Sequence, residues 1–478
     1  MVGSKLVTIP NIVAGKFSFA GEVSLIEGIN TKFIFKIYNI QPQELRQAKR
    51  ALLANKEIRE SIDLNVICDL IKGAAFHYFK DQKKVDELAF LTGSSMSYLI
   101  KSIESCRHWL LNINQFISTV WPEQHEVTLF ADGAACKRKR ISKGPIVAVL
   151  PQNSDIEAVM IIIQALIAKS PIMIRSSSFG FTSFVAVELF YALIESAKNI
   201  SDECVSYLID SISIFNLFRE DYQSPTELIE KLYVKHAVYL LFGSSESFPP
   251  LKSYLNSKPV ADLILMGTGM SSSIVLEDAD LNAAALTICH AATFNNGSEC
   301  ISTSVIYVVE AIYDKFLKII KNLALSFGSS YPESSLGTIR PQIAAAIQKS
   351  LTKMGLNVEY HHNRLNLYEI HPNCCAEELP GPVVFIRKST NLQNAVEQLN
   401  KDLEINKVHM SAACSVFTNE KSTFLKISSV VNSYVLYWNL GTHQVSLFAP
   451  HQGEYLLERL TTSKLIIDYS EPGYGIQR

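Results

Sequence analysis

The sequence predicts an α/β protein built on a doubly wound parallel sheet. Short aliphatic or β-branched runs at 146–150, 172–175 and 237–242 alternate with helix-length segments at 155–168 and 183–197. Strands and helices alternating at this spacing close into parallel sheets through right-handed crossovers. At 478 residues the chain exceeds one simple core, so two or three domains are expected.

Taken in order, residues up to about 40 read as short strands with turns, and 43–117 as amphipathic helices of the kind that cover a sheet. The stretch 127–141 reads as a hairpin turning at Asp132-Gly133, and its basic run at 137–140 reads as a solvated strand more than as a nucleic-acid patch. The α/β unit follows, ending at Gly243-Ser244-Ser245. Asn153, Arg175, Ser176 and Gly243 all fall at carboxyl ends of its strands, where doubly wound sheets bind ligands; no GxGxxG motif accompanies them.

The stretch 280–309 organises the rest. Residues 280–294 read as a helix with Asp280 as N-cap, Asn295-Asn296-Gly297 as a left-handed stop, and 303–309 as a buried strand. Cys300 therefore sits on a short loop between rigid elements, where a thiol can attack a carbonyl. Taken alone, a buried structural cysteine is the commoner situation.

Composition excludes several classes. Hydrophobic residues make up 48% and charged residues 19%, against disorder, and a net charge of −2 points to neither nucleic acid nor an anionic membrane. Nine scattered cysteines fit a reducing compartment, and the start of the chain has no continuous apolar signal region, so a cytoplasmic protein is expected. His361-His362 are adjacent and cannot share one metal from a helix or strand, so no metal site is expected; Cys374-Cys375 read as two free thiols.

Seven segments, in order and spacing, resemble the aldehyde dehydrogenase superfamily: GPIVAVLPQN (144–153), ALIAKSPIMIRSS (165–177), YLLFGSS (239–245), LILMGTGMSSSIVLEDADLNAA (263–284), FNNGSECISTSVIYV (294–308), EELPGPVV (377–384) and YWNLGTHQVSLFAPHQG (437–453). Within it, 131–153 and 437–450 look most like succinylglutamate semialdehyde dehydrogenase. The resemblance implies the aldehyde dehydrogenase fold. Its parts would be a dinucleotide-binding-type domain at 1–244 (with 127–141 as an oligomerisation element), a catalytic domain at 245–432, and a return at 433–478. There the strand at 465–469 joins the hairpin in a homodimer or higher homo-oligomer.

The resemblance also implies roles. Cys300 matches the nucleophile, forming a thiohemiacetal or thioester. Asn153 matches the side chain that steadies the oxyanion with the Cys300 backbone N–H. The family's general-base Glu is matched by Leu265 or Met266, neither able to take a proton. On the cofactor side, Arg175 replaces a Lys and Ser178 a Glu at the adenosine ribose, which favours NADP over NAD. Gly243 and Ser244 fall in the phosphate turn, where Glu246 is an unfavourable anion. Glu378 matches the carboxylate on the nicotinamide ribose, with Pro380 in place of a Phe. Asn439 and His443 fall in the substrate pocket. The expected function is an NAD(P)-dependent oxidoreductase acting on an aldehyde (a semialdehyde) or an activated acyl group. The alternative is a noncatalytic protein that keeps the fold for binding or assembly.

Overall fold

The computed structural model describes residues 5–29, 32–122, 127–129, 135–151, 156–176, 181–244, 246–328, 336–371, 374–444, 446–450 and 453–468. Asn153, Ser178 and the Asp132-Gly133 turn lie outside them.

The first sheet has seven strands, in the order Asp262–Met266, Val238–Phe242, Ile146–Val149, Ile172–Ser176, Ile212–Asn216, Asn11–Val13 and Lys16–Ser18. The first five are parallel, and the last two are added antiparallel at one edge. The chain winds outward from Ile146–Val149 in one direction and then from Val238–Phe242 in the other. The order therefore reverses between those two strands, and a crevice opens at their carboxyl ends.

Period-two alternation explains the layers. Ile146, Ala148, Ile172, Ile174, Val238 and Leu240 face one core with helices Ile156–Ile167 and Phe181–Lys198. Val147, Val149, Met173, Tyr239 and Leu241 face another with helices Pro42–Leu53, Pro225–Leu232 and Phe248–Asn256. With both faces covered, these strands are apolar except at the carboxyl end of Ile172–Ser176, where Arg175 and Ser176 stand.

The second sheet has six parallel strands, in the order Asn366–Glu369, Val383–Ser389, Val305–Val309, Ser272–Val275, Cys414–Phe417 and Leu436–Trp438. Helices Leu281–Thr293 and Tyr313–Ser326 cover one face, and Pro341–Lys353 and Leu392–Ile405 the other. A three-stranded antiparallel sheet pairs Thr461–Asp468 with Ala135–Ser142, and that with Val127–Leu129.

Two strands extend past the expected limits at 244 and 432. Strand Asp262–Met266 pairs with Val238–Phe242, so the first sheet continues past residue 244. Its short apolar run, DLILM, completes the winding before the chain crosses over at 267–271. Strand Leu436–Trp438 pairs with Cys414–Phe417, so the chain is still in the second sheet after 433. The return comes later, where Arg459 makes a forked pair to Asp262 at 2.9 and 3.2 Å.

The helix that precedes Cys300 spans Leu281–Thr293, and Asp280 caps it, accepting from Asn282 N at 3.0 Å and Ala283 N at 3.1 Å. Asp280→Ala should lower stability by about 1 kcal/mol, while Asp280→Asn should retain most of it. Urea denaturation checks both; equal losses in the two variants would show that the cap hydrogen bonds contribute nothing.

Candidate active site

Three successive residues after that helix are left-handed: Asn295 (φ 42°), Asn296 (φ 60°) and Gly297 (φ 67°). Asn and Gly tolerate this region best. The two Asn side chains also fasten the turn. Asn295 accepts from Ser94 Oγ at 2.8 Å and donates to Glu299 Oε1 at 2.7 Å. Asn296 donates to Gly93 O at 3.3 Å and accepts from Gly337 N at 2.5 Å. Gly93 is itself the left-handed cap of helix Gln82–Thr92. The cysteine loop is thereby tied to the helical layer of the first half.

Cys300 is held from the other side as well. Ser271 Oγ donates to the Cys300 carbonyl at 2.8 Å. Gly269 lies so close that a Cβ there would run into the Cys300 carbonyl and side chain. Glu378 accepts from Gly269 N and Met270 N, both at 2.6 Å on the same carboxylate oxygen. In this arrangement the carboxylate expected at the nicotinamide ribose braces the backbone against which Cys300 packs.

The thiol is strongly perturbed. Burial pushes its pKa well above the usual cysteine value, and the carboxylates of Glu157, Glu299 and Glu378 push in the same direction. Cys300 therefore rests protonated. Glu299 adjoins Cys300 in sequence, whereas the effect of Glu157 is not expected from the sequence. Its sequence signal was an acid inside the otherwise apolar helix Ile156–Ile167.

Cys300 borders a cavity of about 840 Å³. His443 lines it, packing on Phe294 at 5.4 Å, as do Glu157, Lys101, His290 and Tyr437. Burial, then the charges of His290 and Lys101, lower the His443 pKa to about 4, so its ring is neutral at physiological pH. The structure thus brings Cys300 and His443 together. Asn439 is placed elsewhere: it accepts from Thr418 N at 3.0 Å and donates to Thr418 O at 2.8 Å, closing a turn at the edge of the second sheet.

The cofactor-side residues gather at the carboxyl ends of the first sheet. Arg175 is 6% exposed and donates to Leu217 O at 3.1 Å and Tyr222 Oη at 2.9 Å. Arg219 lies over the same Tyr222 ring, 4.7 Å from its centroid. Gly243 and Ser244 form an exposed turn leading to helix Phe248–Asn256. That helix start is a poor anion site, because Pro249 and Pro250 have no N–H to offer. The Phe248 ring lies where a Cβ on Gly267 would touch it. At the expected adenosine end two guanidinium groups flank the Tyr222 ring, with Arg175 buried and donating to chain groups, and the helix terminus offers a pyrophosphate little support. Cys374 and Cys375 are free thiols.

Two outcomes follow from this geometry. Gly269→Ala should displace the Cys300 backbone and alter the alkylation rate of that thiol at least several-fold, read by site-resolved mass spectrometry; an unchanged rate would contradict the close packing. The Glu378 pKa is raised to about 7 from an ordinary 4.5, burial outweighing its two amide hydrogen bonds. Its stabilising contribution is thus complete below about pH 4.5 and lost as pH rises through about 7. Glu378→Gln, which keeps an oxygen acceptor, should flatten the fall in denaturation midpoint across that window; the same slope in variant and parent would refute the assignment.

Comparison with known proteins agrees with this architecture. Residues 238–356 match the aldehyde dehydrogenase family model. An aldehyde dehydrogenase of Alternaria alternata is 27% identical over 41% of this chain and 44% of its own length. A long-chain acyl-protein thioester reductase of Photorhabdus laumondii is 23% identical over 55% of this chain and 52% of its own. The chain thus spans about half the length of the curated relatives it matches. Among solved structures, an NADP-dependent glyceraldehyde-3-phosphate dehydrogenase from Bacillus halodurans, complexed with NADP, superposes with a TM-score of 0.78 at 16% identity, covering 96% of this chain and 99% of that one. An NAD-dependent benzaldehyde dehydrogenase from Corynebacterium glutamicum gives 0.76 at 15% identity, covering 96% and 98%. The chain thus shares the aldehyde dehydrogenase fold over nearly its whole length, and residues 238–356 match that family's model.

Proposed function

We propose that this chain is a nicotinamide-dependent oxidoreductase of the aldehyde dehydrogenase type, acting on an aldehyde or an activated acyl group through Cys300. The observation that carries this is the cavity of about 840 Å³ ending on that thiol, at a loop fixed from both sides. In this reading Sγ bonds to the carbonyl carbon, and Asn153 and the Cys300 N–H steady the oxyanion. A bound nicotinamide supplies hydride acceptance or donation. Arg175 and Arg219, about Tyr222, hold the adenosine end, and two guanidinium groups there favour a 2′-phosphate. His443, neutral, shapes the pocket.

The absence of a carboxylate at both Leu265 and Met266 favours an acyl thioester as substrate alongside aldehydes. The name of the Photorhabdus relative points the same way. The likeness of 131–153 and 437–450 to succinylglutamate semialdehyde dehydrogenase makes a dicarboxylic semialdehyde the first aldehyde to try, and Lys101 and His290 in the cavity suit a distal carboxylate. The three-stranded sheet formed by Ala135–Ser142, Val127–Leu129 and Thr461–Asp468 is the proposed contact in a homo-oligomer. Among the described residues no helix is long and apolar enough to cross a membrane.

The test is a titration of the protein with NADPH and NADH by fluorescence, followed by turnover of semialdehydes and acyl thioesters. Saturable binding, tighter for NADPH, is expected, with turnover that Cys300→Ser abolishes. Absence of binding by folded protein, or turnover that survives Cys300→Ser, would overturn the proposal.

A further inference from the structure

The superfamily's base position is apolar here at both Leu265 and Met266, yet a carboxylate reaches the same junction from another element. Glu157 is the second residue of helix Ile156–Ile167, the helix that follows strand Ile146–Val149 in the chain. It is 8% exposed, in a helix otherwise apolar except for Gln164. It lines the cavity that ends on Cys300. It also lines, with Gln164 and Met266, a second small void of about 30 Å³. That is room enough for a water molecule, and two polar side chains border it.

We infer that Glu157 is the general base that activates water against a Cys300 thioester, in place of the carboxylate missing at 265–266. The inference rests on the reading of Cys300 as nucleophile. The step balances within the site: a water O–H proton passes to the Glu157 carboxylate and the water oxygen bonds to the thioester carbon. The C–S bond then breaks, and the departing Cys300 thiolate takes that proton from Glu157, leaving the carboxylic acid product, the free thiol and the restored carboxylate. The carboxylate also acts on the free thiol, but in the opposite sense, since its negative charge disfavours the thiolate. Its removal should therefore ease thiol ionisation while slowing release of the acyl group, a combination that a merely structural residue does not produce.

p-Nitrophenyl acetate tests this without cofactor. Cys300 Sγ bonds to the acetyl carbon and p-nitrophenolate leaves, giving an acetyl adduct visible by intact mass. In the wild type, a burst should be followed by steady clearance of the adduct, and clearance should fall at acid pH as the base is protonated. In Glu157→Gln the burst should persist, clearance should slow about 100-fold or more, and the acid limb should vanish. The burst itself reports a folded site. Glu157→Asp, which withdraws the carboxylate by one methylene, should fall between the two. Clearance in Glu157→Gln as fast as in the wild type, or an adduct that the wild type never clears, would overturn the role of Glu157 and leave Cys300 as nucleophile. A wild type that acquires no adduct at Cys300 would overturn both readings.

Discussion

Three consecutive left-handed residues, Asn295, Asn296 and Gly297, are the constraint on which the site depends. They turn the chain out of helix Leu281–Thr293 toward strand Val305–Val309. Their amide side chains tie the turn to Ser94 and Gly93 on one side and to Glu299 and Gly337 on the other. A side chain at Gly297 would strike the Gly381 carbonyl. The position of Cys300 relative to both sheets is thus set by backbone geometry and a handful of buried hydrogen bonds, which are costly to leave unmade.

The electrostatics of that position run against a resting thiolate. Reactive cysteines commonly sit in electropositive surroundings that lower their pKa; here burial and three carboxylates act in the opposite sense. Lys101 and His290, in the cavity, act on His443 instead, holding its pKa down. In the proposed reaction a thiol held neutral needs a proton acceptor at the moment of attack, which directs attention to the carboxylates around it.

Much of this was legible in the sequence. Apolar strands buried on both faces, Asp280 as a cap, and the Asn-Asn-Gly stop were all readable from residue type and spacing, because each is a local rule. The sheet membership of Asp262–Met266 and Leu436–Trp438 was not, since short apolar runs carry no record of their partner strand. The site was legible in part. Cys300 and His443 meet in one cavity, while Asn439 serves a turn and Glu378 braces the Gly269 backbone. Those two differ because a hydrogen-bonding side chain takes the nearest unsatisfied backbone group, which spacing alone does not reveal. Glu157 escaped notice because one acid in an apolar helix is a signal only when the opposing wall is known.

The most direct test of the account is the pH dependence of alkylation by iodoacetamide, resolved cysteine by cysteine by peptide mass. Cys300, reached through the cavity, should label ahead of the buried Cys68, Cys204, Cys289 and Cys414, with a midpoint well above the usual cysteine value. A midpoint at or below that value would contradict the carboxylate-dominated surroundings. A Cys300 that labels no faster than the buried thiols would contradict the claim that the cavity delivers a reactant to it.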